Sequence, residues 1–321
     1  MHKTINTLLV TGCAGFIGSN FCRLYEREFQ IIGLDNLGRS SHLQNVSSKI
    51  QFDRADITSE HTLEEIFEAH PGIQGVINFA AESCVDHSLA DDSQFWATNV
   101  MGVRNLARVA LKKKIRLLQV STDEVYGSNN GMMAFETNSL NPRNPYAASK
   151  AAAELLLKSY GEAYGLDFAI TRGSNTLGPR QSMDKVIPKA IVHFLNGKPF
   201  PLFKTPAKRM WLSVADHCRA IMTVFQKGIS GQVYNVSPEE DHEIETADLI
   251  EQIRSIIGRG SVQLVDDRAA YDLRYFISSR KIRNELGWES QKNLCEILQT
   301  TVAWYLNNPD WIKNHPTMEG R

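Results

Sequence analysis

The 321-residue sequence has few cysteines, almost no net charge and no long apolar run. Its five cysteines are scattered and form no CxxC pair, which disfavours a disulfide framework or a cysteine-based zinc site. The 35 basic residues nearly balance the 36 acidic ones, so no basic face for nucleic acid or a membrane surface is predicted. No stretch approaches the roughly 20 apolar residues that span a bilayer. The nine histidines show no HExxH-like spacing, and we expect no metal site.

The sequence also lacks the features of a secreted or a disordered protein. Residues 1–4 lead almost directly into an apolar run at 7–10, without the long apolar segment and the cleavage site of a signal peptide. Hydrophobic residues make up 42% of the chain and charged residues 22%, a balance that favours a packed core over disorder. A cytoplasmic globular protein is therefore expected.

Short apolar runs alternate with amphipathic helical stretches through the first half of the chain. The runs without polar alternation, which predict buried parallel strands, are 7–10, 31–34, 75–79, 117–120 and 168–170. A long helix is expected from about 92 to 113. Helical segments between the strands, joined by right-handed crossovers, predict an α/β fold with a Rossmann-type doubly wound parallel sheet.

After Arg172 the alternation loosens and glycine and proline become frequent, which indicates long loops and a smaller second lobe. Two strand-like pieces, 211–214 and 233–236, are expected to return to the main sheet. We therefore predict a Rossmann domain of residues 1–177 plus about 211–236. An interleaved C-terminal substrate lobe is predicted to contain about 178–210 plus 237–321.

A glycine-rich loop, Gly12-Cys13-Ala14-Gly15-Phe16-Ile17-Gly18, lies between the first strand and the first helix. Such glycines let the backbone approach a pyrophosphate at a helix N-terminus, although GxxGxxG alone also fits an ordinary tight turn. Asp35 ends the second strand, where a carboxylate binds a ribose diol and repels a 2′-phosphate, so NAD is favoured over NADP. Asp56 and Ile57 follow the third strand; either they contact the adenine, or Asp56 caps the following helix.

Tyr146 and Lys150 are spaced i, i+4, which places both on one helix face. An ammonium beside a phenol favours the phenolate, and together with the positive charge of a bound nicotinamide we expect it to lower the tyrosine pKa toward about 7. A surface pair is the alternative interpretation. Upstream, Thr122, Asp123 and Glu124 follow a central strand, at the sheet edge where open α/β folds bind ligands. Carboxylates at the end of a buried strand are costly unless they are used.

These motifs resemble extended short-chain dehydrogenases/reductases, and within them the NAD-dependent nucleotide-sugar epimerase/dehydratase family. TGCAGFIGSN and NPYAASK mark the superfamily, and the Thr-Asp-Glu triplet of STDEVYG is typical of 4,6-dehydratases of the dTDP-glucose type. The resemblance implies conversion of an NDP-hexose to an NDP-4-keto-6-deoxyhexose by C4 oxidation, water elimination across C5 and C6, and hydride return to C6. The alternatives are an NDP-sugar 4-epimerase, a UDP-glucuronate decarboxylase or a non-catalytic NAD-binding interaction protein.

The same resemblance assigns roles to individual residues. It implies that Tyr146 removes the C4 hydroxyl proton, that Thr122 polarises that oxygen, and that Lys150 holds the cofactor ribose and tunes Tyr146. Glu124 is the implied base at C5, and Asp123 the implied acid at the C6 hydroxyl. The implied cofactor-binding positions are Gly12, Gly15, Phe16, Ile17, Gly18, Asp35, Asn36, Asp56, Ile57, Ala80, Ala81, Asn99, Tyr146 and Lys150. The implied substrate-binding positions are Ser83, Asn175, Lys185, Arg209, Asn235 and Arg268.

Two of these assignments have plainer alternatives. Asn99 either helps to place the lysine or bonds a neighbouring carbonyl, and each cationic substrate position by itself also fits an exposed salt bridge. The chain departs from the family pattern at Cys84, His87, Thr176, Leu177 and the loop 203–211, around the expected substrate pocket. The resemblance further implies a homodimer formed through helices around 92–113 and 146–164. The expected partner is a nucleotide-diphosphate sugar, with neither nucleic acid nor a membrane.

Overall fold

In the computed structural model, which describes residues 5–129, 131–239 and 243–315, the apolar runs of the first half form one parallel sheet. Its strands are β1 (Thr7–Thr11), β2 (Gln30–Asp35), β3 (Gln51–Arg54), β4 (Gly75–Asn78), β5 (Arg116–Thr122), β6 (Phe168–Gly173) and β10 (Val233–Val236). They lie in the order β10-β6-β5-β4-β1-β2-β3. The order reverses beside β1, so a crevice opens at the carboxyl ends of the strands. The predicted doubly wound sheet is confirmed.

Both faces of this sheet are buried, as the lack of polar alternation predicts. Along β1, Leu8 and Val10 point into one apolar cluster while Leu9 points into the other. The covering helices are α1 (Phe16–Tyr25), α2 (Glu60–Ala69), α3 (Val85–Ala90), α5 (Val103–Lys113), α6 (Pro145–Tyr164), α8 (Val214–Lys227) and α10 (Arg280–Leu286). Helices α1 and α8 pack together on one face, and α2, α5 and α6 pack on the other.

The long helix expected over 92–113 is interrupted. A short helix α4 (Ser93–Trp96) leads into a π-helical turn, Ala97–Gly102, and only then into α5. Insertions of this kind widen a helix locally and are frequent at functional sites. Here the widened turn carries Asn99, which is 1% exposed and faces α6.

The second half adds a smaller lobe whose strands form separate sheets. Strand β9 (Lys208–Ser213) pairs with β7 (Asn175–Leu177), β11 (Glu243–Glu245) and β13 (Arg274–Tyr275), and β8 (Phe200–Phe203) pairs with β12 (Val262–Val265). An apolar cluster joins these strands to the remaining helices, α7 (Val186–Leu195), α9 (Thr246–Ile257), α11 (Leu294–Asn307) and α12 (Pro309–Lys313).

One of the two strand-like pieces does not return to the main sheet. Residues 233–236 form its edge strand as predicted, but Trp211–Ser213 pair with β7 in the small sheet. The physical reason is that β10 already occupies the free edge of β6, while the chain leaving β6 offers β7 as a parallel partner. The exact domain boundaries, at 177, 211 and 236, stay a prediction.

The expectation based on residues 1–4, that no signal peptide precedes the first strand, concerns residues outside the described part of the chain. Among helices in the described ranges, none combines the length and the apolarity needed to cross a bilayer. Within those same ranges, no three His, Cys, Asp or Glu side chains come together as a possible metal site.

Candidate active site

A cavity of about 330 Å³ runs along the carboxyl ends of the main strands. Most of the site residues that were predicted from the sequence line this cavity. Those in its lining are Gly12, Gly15, Phe16, Ile17, Gly18, Asp35, Asn36, Asp56, Ile57, Ala80, Ala81, Ser83, Thr122, Glu124, Tyr146, Lys150, Asn175 and Lys185. Asp123, Asn99, Arg209, Asn235 and Arg268 lie outside this lining.

The glycine loop joins β1 to α1 and comes very close to the neighbouring chain. Gly12 has a φ of 71°, and a Cβ on it would lie 2.6 Å from the backbone nitrogen of Ala80. Only glycine fits there, so the loop backbone stays low beneath the cavity at the N-terminus of α1. That cradle, with the free amides of a ten-residue helix behind it, fits a pyrophosphate.

Asp35 lies at the end of β2 with its carboxylate fixed by backbone amides. The Ala14 N–H donates to Oδ2 at 3.0 Å, and the Leu37 N–H donates to Oδ1 at 2.8 Å. Burial raises the pKa of this carboxyl group, although these amides oppose the rise. A carboxylate held at this place, with lone pairs left over, fits a dinucleotide with a free ribose diol.

The proposal that Asp56 caps the following helix is wrong. Ser59 is the N-cap of α2 and accepts from the Thr62 N–H, while Asp56 accepts from the Thr58 N–H at 2.8 Å. The other carboxylate oxygen of Asp56 accepts from the Asn36 amide at 2.8 Å. Ser59 is better placed to cap because it immediately precedes the first helical residue. Asp56 therefore shapes the cavity wall beside Asn36.

Asn99 forms a hydrogen bond with the helix that carries Lys150. Its Nδ2 donates to the Ser149 hydroxyl and to the Glu82 carbonyl, both at 2.9 Å, and its Oδ1 accepts from the Glu82 N–H. Asn99 thus ties the strand-end loop at Glu82 to α6 beside Lys150. The two interpretations of Asn99, placing the lysine helix and bonding a nearby carbonyl, describe the same set of hydrogen bonds.

Tyr146 and Lys150 both lie on the first turns of α6 and both line the cavity. The Lys150 ammonium donates to the Val120 carbonyl at 2.7 Å. Burial lowers the pKa of Lys150 to about 8. In the chain without a bound dinucleotide, burial and then the Glu124 carboxylate raise the pKa of Tyr146, and a hydrogen bond with Thr122 only partly opposes them. The lowered pKa expected with Lys150 and a bound nicotinamide together stays a prediction.

Thr122 ends β5 and caps the 3-10 turn Asp123–Tyr126, accepting from the Glu124 N–H at 3.2 Å. Its hydroxyl donates to Asp123 at 3.3 Å. The cap therefore fixes both acids side by side at the strand end. Burial, with the neighbouring Glu124 adding to it, raises the pKa of Asp123 to about 8, so this carboxyl is protonated at neutral pH.

Glu124 reaches into the cavity and is contacted from two directions. Its Oε2 accepts from the Asn144 side-chain amide at 3.2 Å and lies 3.3 Å from the Tyr275 hydroxyl, whose single hydrogen is directed to Asp272 Oδ2 at 2.5 Å. Burial raises the pKa of Glu124, and the nearby positive charges of Lys185, Arg209 and Arg268 oppose that rise. The two adjacent acids thus differ in setting: Asp123 lies beneath the cavity surface, and Glu124 lies in it.

The cationic residues nominated for the substrate are near this end of the cavity, and each has a protein partner. Lys185 Nζ donates to the Ser83 carbonyl at 2.7 Å. Arg268 pairs with Asp86 at 2.6 Å, and Arg209 donates to the Asp272 carbonyl at 2.5 Å. Their charge nevertheless acts at Glu124, which marks this end of the cavity as electropositive.

Asn235 is not brought to the cavity. It is fully buried in β10, where its Oδ1 accepts from the Tyr126 hydroxyl at 2.8 Å and its Nδ2 donates to the Ala134 carbonyl. Both ends of its amide are therefore occupied by protein groups. Asn235 therefore supports the end of the strand behind Asp123 and Glu124.

Two residues that contact Glu124, Asn144 and Tyr275, were not predicted from the sequence. Asn144 also caps α6, accepting from the Ala147 N–H at 2.8 Å, and the Asn-Pro pair that opens this helix is the signal that could have found it. No local signal marks Tyr275, because β13 reaches the site only through its pairing with β9.

Comparison with known proteins adds independent evidence. The family described as GDP-mannose 4,6 dehydratase matches residues 9–301. The chain is 37% identical to the low-salt glycan biosynthesis protein Agl12 of Haloferax volcanii, with 94% of this chain and 99% of that protein covered. It is 36% identical to a dTDP-glucose 4,6-dehydratase of Streptomyces niveus, with 95% and 94% covered.

Among solved structures, DesIV, a dTDP-glucose 4,6-dehydratase from Streptomyces venezuelae crystallised with NAD, superposes with a TM-score of 0.90 at 36% identity. The match covers 95% of this chain and 98% of that one. Backbone and sequence therefore match along nearly the whole length of both chains. The chain belongs to the nucleotide-sugar 4,6-dehydratase family of extended short-chain dehydrogenases/reductases.

Proposed function

We propose that this protein is an NAD-dependent nucleotide-sugar 4,6-dehydratase of the dTDP-glucose type, a hydro-lyase that makes an NDP-4-keto-6-deoxyhexose. One observation carries the proposal: an acid with a raised pKa and a second carboxylate stand side by side at the end of β5, next to Thr122, Tyr146 and Lys150. Elimination of water between neighbouring carbons needs one base and one acid at adjacent places.

The cofactor would be held by the glycine loop at its pyrophosphate, by Asp35 at its adenosine ribose and by Lys150 at its other ribose. When bound, NAD⁺ would supply a reversible hydride acceptor for the oxidation at C4 of the sugar and the later reduction at C6. Because no external reductant is consumed, the overall conversion is a loss of water.

At C4, Tyr146 takes the hydroxyl proton and Thr122 orients the same oxygen. Burial keeps the phenol protonated in the chain by itself, so the tyrosine needs positive charge nearby to act as a base. The Lys150 ammonium, one helical turn away, is the protein's own source of that charge. Its pKa of about 8 keeps it charged at neutral pH.

At C5 and C6, Glu124 and Asp123 act in sequence. Oxidation at C4 acidifies the C5 proton, Glu124 takes it, and Asp123 protonates the departing C6 hydroxyl, which leaves as water. Glu124 then returns a proton to C5 as C6 is reduced. The Asn144 hydrogen bond to Oε2, with the Tyr275 hydroxyl beside the same oxygen, keeps Glu124 aimed into the cavity through both proton transfers.

Lys185, Arg209 and Arg268 are proposed to receive the diphosphate of the substrate, with Ser83 and Asn175 lining the approach. Support comes from their combined charge at the Glu124 end of the cavity. Arginine suits this role because its planar fork donates two parallel hydrogen bonds to phosphate oxygens. Asn235 is proposed only as a support for this wall.

A 4-epimerase or a decarboxylase on the same scaffold is the second candidate, because the Tyr146–Lys150 pair serves those reactions as well. The Asp123–Glu124 pair argues against both. Incubation of the purified protein with dTDP-, UDP-, CDP- and GDP-hexoses, without reductant, tests the choice. We expect loss of one water by mass for at least one of them, whereas an isomer of unchanged mass or loss of carbon dioxide would overturn the dehydratase.

We further propose a homodimer and a cytoplasmic location. Trp96, Met101 and Leu155 are 40%, 48% and 57% exposed on contacting helical segments, which is the face through which the dimer would form. Light scattering that gives the mass of one chain would reject the dimer. Buried free thiols such as Cys13 and Cys22 suit a reducing compartment, and cell fractionation tests the location.

A further inference from the structure

A histidine that the proposed mechanism does not use lies directly beneath the reacting end of the sheet. His217 of α8 is 2% exposed, and it lines the same cavity as Tyr146. A Cβ on Gly173 would lie 2.6 Å from its Nε2, so the imidazole packs against the end of β6 in the space that a side chain would fill. Gly173 is opposite Thr122 in the β5–β6 register. The ring is therefore one strand away from the proposed site of C4 oxidation.

The contacts of Thr176 bear on which nitrogen of His217 carries the proton. Thr176 Oγ1 lies 3.1 Å from the Ser174 carbonyl and 2.9 Å from His217 Nδ1, and it has one hydrogen to donate. When that hydrogen goes to Ser174, Nδ1 carries the ring proton and donates it to Oγ1. Burial lowers the pKa of His217 to about 4, so the ring is neutral at neutral pH. In this tautomer Nε2 is a lone-pair acceptor, and it has no hydrogen-bond partner among the described residues.

Other buried polar atoms around this part of the cavity also have no hydrogen-bond partner in the described ranges. The oxygen of the Gln181 side-chain amide and the hydroxyl of Ser174 are buried without a partner in the described part of the chain. The amide nitrogen of Gln181 is already used, since it donates to the Thr176 carbonyl at 3.0 Å. Buried acceptors together with a free hydroxyl fit a ligand group that offers both N–H donors and a carbonyl, which is a primary amide.

The position of these unpartnered atoms along the sheet indicates which ligand supplies the amide. With the pyrophosphate above α1 and the adenosine beside Asp35 on β2, the other half of a dinucleotide extends across the ends of β4, β5 and β6. That half carries the nicotinamide, whose carboxamide is its hydrogen-bonding group. We infer that His217 Nε2 accepts a hydrogen bond from the carboxamide N–H of the cofactor and so fixes the rotation of the nicotinamide ring. This inference rests on the proposed NAD-dependent function.

The test compares two cofactors that differ only in that N–H. NAD⁺ has the carboxamide, whereas 3-acetylpyridine adenine dinucleotide has a methyl ketone and no N–H. Displacement calorimetry on the purified protein should show NAD⁺ binding about threefold to tenfold more tightly, the range expected for one neutral hydrogen bond. In His217→Leu this preference should be smaller than in wild type, while His61→Gln, a change at an exposed histidine of α2, should keep it unchanged.

Each outcome decides something. If His217→Leu keeps the wild-type preference, or if wild type shows none, the contact does not exist and the inference is overturned. If neither dinucleotide binds to wild type, the proposed function fails first.

Should the leucine variant not fold, ¹⁵N NMR of histidine-labelled wild type answers the same question. The Nε2 resonance should move with NAD⁺ and stay in place with the acetylpyridine analogue. An equal shift with both would contradict the contact.

Discussion

The two halves of the cavity are built differently. In the cofactor half, the groups that would contact a ligand are already fixed by protein hydrogen bonds: Asp35 by the amides of Ala14 and Leu37, and the glycine loop by Asn45. In the sugar half, the cations Lys185 and Arg268 are held by partners that a diphosphate would replace, the Ser83 carbonyl and Asp86. Under the proposed function, the first half is preorganised for binding, whereas Lys185 and Arg268 would exchange partners when substrate enters.

Asp123 and Glu124 lie where the cofactor half and the sugar half of the cavity meet. Replacing one of them is expected to give the largest difference between the effect on turnover and the effect on NAD affinity. Glu124→Gln keeps the shape but removes the base at C5, so turnover should fall by about 10²- to 10⁴-fold. NAD affinity should stay at the wild-type value because Glu124 lies on the sugar side. Turnover and calorimetry on the same preparation check both statements. Glu64→Gln, on the exposed face of α2, is the matched control, and a loss of NAD affinity in Glu124→Gln would contradict the division.

The pH dependence of turnover should reveal two deprotonations on the alkaline side. Burial raises the pKa of Asp123 to about 8 and lowers that of Lys150 to about 8, and the proposed roles need both groups protonated. Rising pH removes both protons, so log kcat should fall above pH 8 with a limiting slope of about −2. On the acid side, the raised pKa of Glu124 should place the loss of activity above the ordinary carboxyl range.

Asp123→Asn removes one of these deprotonations. Its residual activity should fall with a slope of about −1 above pH 8, as measured by the same profile. A slope that is the same in wild type and variant would show that Asp123 does not titrate during the reaction.

The C-terminal helix gives a way to disturb the cofactor half alone. Trp311 Nε1 donates to Asn45 Oδ1 at 2.8 Å, and Asn45 in turn donates to the Ala14 carbonyl of the glycine loop at 3.0 Å. Trp311→Phe should weaken NAD binding about threefold to tenfold by loosening that loop, with no change in the KM for the sugar nucleotide. Trp304→Phe, whose ring packs edge-on against Trp311, is the control that should bind NAD normally.

The smallest effect is expected in the sugar half. Asp86→Asn frees Arg268 from a partner that is 65% exposed, so KM for the sugar nucleotide should fall about twofold to fivefold. NAD affinity should not change. Asp310→Asn, which breaks another exposed ion pair, should leave both constants unchanged. An increase in KM for Asp86→Asn would show that Asp86 supports substrate binding and does not compete with it.

The same contrast explains what could be predicted from the sequence. The strands of the main sheet, the glycine loop, Asp35 and the Tyr146–Lys150 pair follow from local spacing, because each depends on residues a few positions apart. Residues 211–213 were assigned to the wrong sheet because strand partners are chosen by competition between edges that lie far apart in the chain.

The residues that support the two acids could not be predicted from the sequence either. Tyr275 arrives at Glu124 from 151 residues away, and Trp311 reaches Asn45 from 266 residues away. The raised pKa of Tyr146 in the chain by itself depends on burial by the whole fold, which the spacing to Lys150 does not reveal. Such contacts depend on the packing of the second lobe, which the sequence pattern described only loosely.

The central claim is that Glu124 removes and returns a proton at C5 while C4 is oxidised. Turnover of an accepted NDP-hexose in deuterated water, followed by mass spectrometry and NMR of the product, tests it most directly. We predict one deuterium at C5, because the base exchanges its proton with solvent before returning it. A 4-keto-6-deoxy product that carries only hydrogen at C5 would contradict the elimination.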